Sequence, residues 1–259
     1  MSRTPVHLAV GRHGEATVVR VTGELNLASY PTLRDGLLKI ATDAPDGLIA
    51  DISELAIADS SLVSVFSLVA MRIGDWPGIP FTLADGGVGH RGLLSRHVVD
   101  RHVPVRAGLT AAAAALDHPV RRRCERVFPR ADGASAQIRE YVTARLGEWD
   151  VPELAEDARL IATELVENVV RHTTSEPKVR LDLHGGVCTV AVADQDPRPA
   201  MLLERLSPFE PGMGLKLVAQ IARTWGCSRS WAGGKVVWAV LVPGARTTGD
   251  RPAGQRFGP

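Results

Sequence analysis

Apolar and polar positions alternate in two distinct periods along the first 116 residues. Short β-branched runs at residues 6–10 and 17–22, bounded by Gly11, Gly14 and Gly23, predict a hairpin. Leu33, Leu37, Leu38 and Ile40 then recur at helical spacing over residues 30–40, and residues 47–51 follow as a buried strand. A second round repeats the scheme, with an apolar helix over residues 61–73 and a strand over 79–84. Residues 91–99 and 110–116 read as further helices, so a small sheet covered by helices is expected over residues 1–116.

The periodicity stops at residues 117–132, where Arg121, Arg122, Arg123, Arg126 and Arg130 crowd together with Pro119 and Pro129, and a basic linker is expected. A second domain is predicted over residues 133–243. It opens with a helix at 134–149, after which Asp150, with Glu153 three residues on, predicts an N-cap box for a helix over 151–172. Strands at 178–183 and 188–193 are joined by His184, Gly185 and Gly186, a tight hairpin turn. A helix at 215–225 and a strand at 236–242, entered through Gly233 and Gly234, complete the domain as helices on one face of a mostly antiparallel sheet. Residues 244–259 are rich in Gly, Pro, Arg and Thr and should be disordered, because they carry too little apolar surface to offset the entropy of ordering.

Composition narrows the function. With 259 residues the chain is long enough for two cores. Thirty Lys and Arg against 29 Asp and Glu leave a net charge of +1, which gives no electrostatic footprint for nucleic acid. No run approaches the roughly 20 apolar residues of a membrane span, and the first residues lack a signal-peptide core, so a cytoplasmic protein is expected. Cys124, Cys188 and Cys227 have no paired spacing, which suggests neither a disulfide framework nor a zinc site.

The chemistry concentrates on the helix over residues 151–172. Leu154, Ala158, Ile161, Leu165 and Val169 form its apolar stripe, and Glu164, Asn168 and Arg171 lie along the border of that stripe. A carboxylate and an amide one turn apart suit a proton acceptor beside a hydrated Mg²⁺, a metal that takes few protein oxygens and relies on phosphates for the rest. The same pair would also serve as a solvated helix edge. Asp194 ends the strand at 188–193, where a carboxylate would accept a hydrogen bond from an exocyclic amine. Gly212, Met213 and Gly214 then open a helix whose backbone amides would approach phosphates. By contrast, Gly86-Gly87-Val88-Gly89-His90-Arg91 lacks the Lys-Ser/Thr of a phosphate loop and reads as a plain turn.

Asn, Asp and G-x-G in this order resemble the GHKL ATPases, in particular the anti-sigma-factor serine kinases. Glu164-Leu165-Val166-Glu167-Asn168-Val169-Val170-Arg171-His172 is similar to the N box, Ala193-Asp194 to the start of the G1 box, and Gly212-Met213-Gly214-Leu215-Lys216-Leu217-Val218 to the G2 box. Gly234-Lys235-Val236-Val237-Trp238 is similar to the final strand. The resemblance implies a Bergerat-type α/β sandwich that binds ATP and Mg²⁺. Glu164 would be its general base, Asn168 its Mg²⁺ ligand and Asp194 its adenine-reading residue, with Gly212, Gly214 and Arg171 completing the nucleotide site. Gln195-Asp196-Pro197 departs from the glycines of the full G1 box. Residues 195–211 would form the lid, where Arg198 or Arg205 would reach phosphate or stay in solvent.

The first domain resembles a STAS domain, the anti-sigma-factor-antagonist fold, a mixed sheet with helices. The resemblance rests on Val21-Thr22-Gly23-Glu24-Leu25, Ile49-Ala50-Asp51-Ile52-Ser53 and Asp59-Ser60-Ser61. It implies Ser61, with Ser60 beside it, as phosphoacceptor; an ordinary N-cap is the alternative at that turn. Asn26 stands where the family often has Asp, and Leu62-Val63 replaces its Gly-Leu, so Leu62 would restrict a kinase's approach.

Together the two resemblances imply α/β and α+β domains fused in a partner-switching regulator of transcription. It would be an ATP-dependent serine kinase and anti-sigma factor joined to its STAS antagonist. Its partners would be a sigma factor, or a STAS or anti-sigma partner protein, and a homodimer is possible. The alternative is an ATP-binding interaction module without kinase activity, with the STAS domain as docking or decoy surface.

Overall fold

A computed structural model describes residues 4–43, 46–85, 90–116, 121–131, 133–198 and 213–244 of the chain. The chain divides into two compact units, Met1–His118 and Pro119–Pro259. Outside the described residues lie Gly86 to Gly89, Arg205 with the lid from residue 199 onward, Gly212, and the tail from residue 245.

In the first unit β1 (His7–His13) and β2 (Ala16–Leu25) form the expected hairpin. The chain then winds through α1 (Tyr30–Thr42), β3 (Leu48–Ile57), α2 (Ser64–Asp75) and β4 (Phe81–Ala84). It ends with α3 (Arg91–Arg96), a two-residue strand β5 (Val105–Arg106) and α4 (Leu109–Ala114). The sheet order is β1-β2-β3-β4-β5, antiparallel at β1 and parallel elsewhere.

Alternation along each strand splits the residues between two faces. Val19, Val21, Leu48 and Ala50 pack under α1 and α2 with Leu33, Leu37, Phe66 and Val69. Val18, Ile49 and Ala84 instead meet Ala112 and Leu116. The structure shortens the predicted helix at 91–99: α3 stops at Arg96, and Val99–Arg101 forms a separate 3-10 turn after Val98, which takes a left-handed φ of 62°.

In the second unit β6 (Arg121–Val127), α5 (Ala134–Glu148), α6 (Ala155–His172), β7 (Lys178–His184) and β8 (Val187–Asp194) precede α7 (Met213–Ile221), β9 (Thr224–Arg229) and β10 (Lys235–Leu241). The sheet is antiparallel throughout, in the order β6-β7-β8-β10-β9. One face is covered by the helices: Ile138, Val142, Ile161, Leu165, Val169 and Val218 pack on Val179, Leu181, Val190, Val192, Val237 and Ala239. The β7–β8 turn is Gly185-Gly186, with φ of 55° and 76°, values that only glycine takes freely and that suit a two-residue hairpin.

Three sequence expectations change here. The linker at residues 117–132 contains a strand, β6, paired along its length with β7. What holds its basic run in a sheet is a buried acid: Asp182 of β7 forms ion pairs with Arg121 at 3.1 Å, Arg123 at 2.7 Å and Arg180 at 3.2 Å, while Cys124 faces the core. The capping box also fails. Asp150 sits at φ 61° with its N–H on the Gly147 carbonyl, terminating α5, and the next helix starts through a 3-10 turn at Pro152–Leu154. Finally, the helix expected at 215–225 ends at Ile221, and Trp225 lies in β9, packed with Cys227 on the core side. Between them Gly226 leaves the room that the Trp238 indole fills.

Candidate functional site

Helix α6 exposes only one border of its stripe. Ala158, Ile161, Ala162, Leu165, Val166 and Val169 are buried, while Glu164 and Asn168 are half-buried and Arg171 is exposed. Glu164 lies against the first turn of α7. A methyl group on Gly214 would overlap its carboxylate, so glycine there permits the two helices to close. Burial raises the proton affinity of Glu164; the neighbouring Glu167 adds to this and Arg171 opposes it. Arg171 sits 3.9 Å from Glu167, which also accepts a hydrogen bond from the Ser135 hydroxyl of α5 at 3.1 Å. Arg171 thus balances charge on the α5 side of the helix.

One turn beyond Glu164, Asn168 Nδ2 is buried without a hydrogen-bond partner among the described residues. Past the helix end, Ser175 shares a 2.9 Å hydrogen bond with Thr173 and accepts the Gln195 N–H at 3.2 Å. These bonds tie the C-terminus of α6 to the chain leaving β8.

Asp194 closes β8 and is buried. Its Oδ1 accepts from Lys235 Nζ at 2.9 Å and from the Asp196 N–H at 2.8 Å, whereas Oδ2 is buried with no partner among the described residues. Sequence reading missed Lys235 and undervalued Gly234. At φ 75°, Gly234 packs so closely that a side chain would overlap the Asp194 carbonyl, and this brings the start of β10 alongside. The glycine pair before a lone Lys was the available signal. Of the lid arginines, Arg198 is engaged by Asp196 through its backbone N–H at 2.9 Å and its guanidinium, and those bonds hold the Asp196 carboxyl well below the usual range.

In the first unit Asp59 caps a 3-10 turn, Ser60–Val63, that leads into α2. Asp59 Oδ1 accepts from the Ser61 N–H at 2.9 Å and the Ser61 hydroxyl at 2.8 Å, and these bonds lower its pKa, the backbone bond most. Ser60 and Ser61 are both exposed. Leu62 turns into the core, so it does not stand between Ser61 and solvent as the sequence suggested. Asn26 is also structural: its Oδ1 accepts the N–H groups of Ala28 and Ser29 at 3.0 and 3.1 Å, forming the turn into α1.

Among the described residues no group of three or more His, Cys, Asp and Glu is placed to hold a metal, and no helix is long and apolar enough to cross a membrane.

Residues 128–241, all within the second unit, match the family model of the histidine kinase-like ATPase domain. The matched stretch begins just after β6. The first unit has a mixed, largely parallel sheet covered by helices. Solved structures similar to the N-terminal part include an anti-sigma factor antagonist from Mycobacterium paratuberculosis, 20% identical over 43% of this chain and 93% of that one, with a TM-score of 0.39. Another is a single-substitution form of RsbS from Moorella thermoacetica, 25% identical over 44% of this chain and 93% of that one, with a TM-score of 0.33. A third is the anti-sigma factor antagonist SpoIIAA in its unphosphorylated form, 19% identical over 39% and 88%, with a TM-score of 0.32. No curated protein matches the chain.

Proposed function

We propose that this chain is a cytoplasmic partner-switching regulator, an ATP- and Mg²⁺-dependent protein serine kinase and anti-sigma factor carrying its own STAS antagonist domain. The observation that carries the reading is that two buried polar atoms, Asn168 Nδ2 and Asp194 Oδ2, have no partner among the described residues, within a stretch that matches the histidine kinase-like ATPase domain. Buried polar groups in native proteins are almost always satisfied, so these two fit a ligand that brings an acceptor to one and a donor to the other. A phosphate oxygen suits Asn168 Nδ2, leaving Oδ1 for Mg²⁺, and an adenine amine suits Asp194 Oδ2. Gly214 keeps Glu164 beside the helix start where Gly212 and Gly214 would admit phosphates.

Bound Mg-ATP would supply the phosphoryl group and neutralise its charge. Glu164, its proton affinity raised by burial, is suited to take the proton of a serine hydroxyl. Ser61 is the preferred acceptor and Ser60 the second, both accessible on the first unit or on a separate STAS partner. Fusion raises the local concentration of acceptor to the millimolar range for a short tether, so a weak contact suffices. One observation favours an ATP-binding interaction module without transfer: Arg198 is held by Asp196 and would have to leave that pair to serve phosphate.

Incubating the wild type and Glu164→Ala with Mg-ATP, followed by intact mass and peptide mapping, tests the kinase. Phosphate on Ser61 in the wild type alone is expected. None on Ser60 or Ser61, in cis or on a STAS partner, would overturn the kinase and leave nucleotide binding to be judged separately. For that, Asn168→Ala should abolish thermal stabilisation by Mg-ATP, and an unchanged shift would contradict the site.

A further inference from the structure

Lys235 begins β10 and stands opposite Asp194 in the strand register. Both side chains are buried, 9% and 1% exposed, and their 2.9 Å ion pair leaves the lysine a further bond to the Asp196 carbonyl at 3.1 Å. Among the described residues the donors to Asp194 converge on one oxygen: Lys235 and the Asp196 N–H both reach Oδ1 and neither reaches Oδ2. A carboxylate accepts and does not donate. With Oδ1 occupied and the ammonium fixed by two acceptors, the side chain cannot turn its free oxygen away without breaking a buried pair. A ligand must therefore meet Oδ2 with a donor, such as the N–H of an exocyclic amine, and one that does not leaves a buried carboxylate oxygen unsatisfied.

We propose that Lys235 is a positioning residue that makes Asp194 a one-sided acceptor and so sets the selectivity of the site for purine nucleotides carrying a 6-amino group. This rests on the ATP reading above. Lys235 acts through Asp194 and does not itself need to touch the base. Gly234 is part of the same device, since its close approach to the Asp194 carbonyl delivers Lys235 to its place.

The test is calorimetric titration of the full chain with Mg-ATP and with the Mg complex of purine riboside triphosphate, which lacks only the amine. The wild type should prefer ATP by about tenfold or more, the value of a hydrogen bond to a charged acceptor. K235M should bring the two nucleotides within about threefold, chiefly by weakening ATP, and K235R should restore the preference. If methionine at 235 unfolds the second unit, D194N and D194N/K235M answer the same question, since neither should show a preference. Retention of the wild-type preference by K235M, equal weakening of both nucleotides, or a difference in preference between D194N and D194N/K235M would each overturn the positioning role. The site itself would stand in those cases, because the wild type binds ATP in all of them. Failure of the wild type to bind ATP would overturn the proposed function and this inference together.

Discussion

Asp194 and Asp59 are both aspartates at the end of an element, and each gathers nearby donors onto a single carboxylate oxygen. They differ in solvent. Asp194 is buried and needs an ammonium to balance it, whereas Asp59 is exposed and is served by one backbone amide and one serine hydroxyl. In their proposed roles, burial would make the first site selective, because every unpaired atom there is costly, and exposure would make the second available, because water replaces whatever is lost. The proposed binding and acceptor sites thus call for opposite environments around the same residue type.

The sharpest way to break this comparison is Asp194→Ala, which leaves the Lys235 ammonium buried and unpaired. Removing one partner of a buried pair costs about 3–5 kcal/mol, so the second unit should unfold roughly 10 °C or more below its wild-type midpoint by calorimetry. A drop under about 3 °C would mean that the pair is solvated and the contrast with Asp59 false. Gly234→Ala comes next, combining a positive φ with overlap on the Asp194 carbonyl, and should cost about 2–3 kcal/mol. Gly14→Ala, in open space at φ 61°, isolates the backbone part at about 1 kcal/mol in the first unit.

Smaller effects sharpen the exposed side. Ser61→Ala removes the weaker of the two bonds that lower the Asp59 pKa, so its titration by NMR should move partway back up, with a thermal midpoint changed by no more than about 2 °C. Because that pKa lies below its unfolded value, the contribution of Asp59 is present above the ordinary carboxylate range and is lost as pH falls. Glu164 has the opposite sign. Its pKa is raised, so its ionised form disfavours folding as pH rises, and Glu164→Gln should be slightly more stable than wild type at pH 7–8, converging with it near pH 4.5. Solvent screening at this half-exposed position keeps the gain small.

Much of this was legible in the sequence, for identifiable reasons. The stripe of α6 and the Gly185-Gly186 turn announce themselves because they are local, set by a 3.6-residue period and by positive φ. Strand β6 was hidden because it answers to Asp182, some sixty residues away, and not to its own apolar content. Lys235 was hidden for the same reason: its meaning lies in its register with Asp194, which no linear pattern encodes. Leu62 misled in the other direction. Its bulk was evident, but only the fold shows that the bulk points inward.

The strand order β6-β7-β8-β10-β9 places the last of the described strands in the interior of its sheet, between β8 and β9. Until the ribosome has released residues 235–241, β8 and β9 both keep an open edge and Asp194 has no counter-ion. Closure of the second sheet would therefore wait on residues 235–241, whereas the described strands of the first unit all lie before residue 107 and would pair earlier. A nascent chain stalled before β10 would expose a paired first unit joined to a half-formed sheet in which Asp194 lacks Lys235.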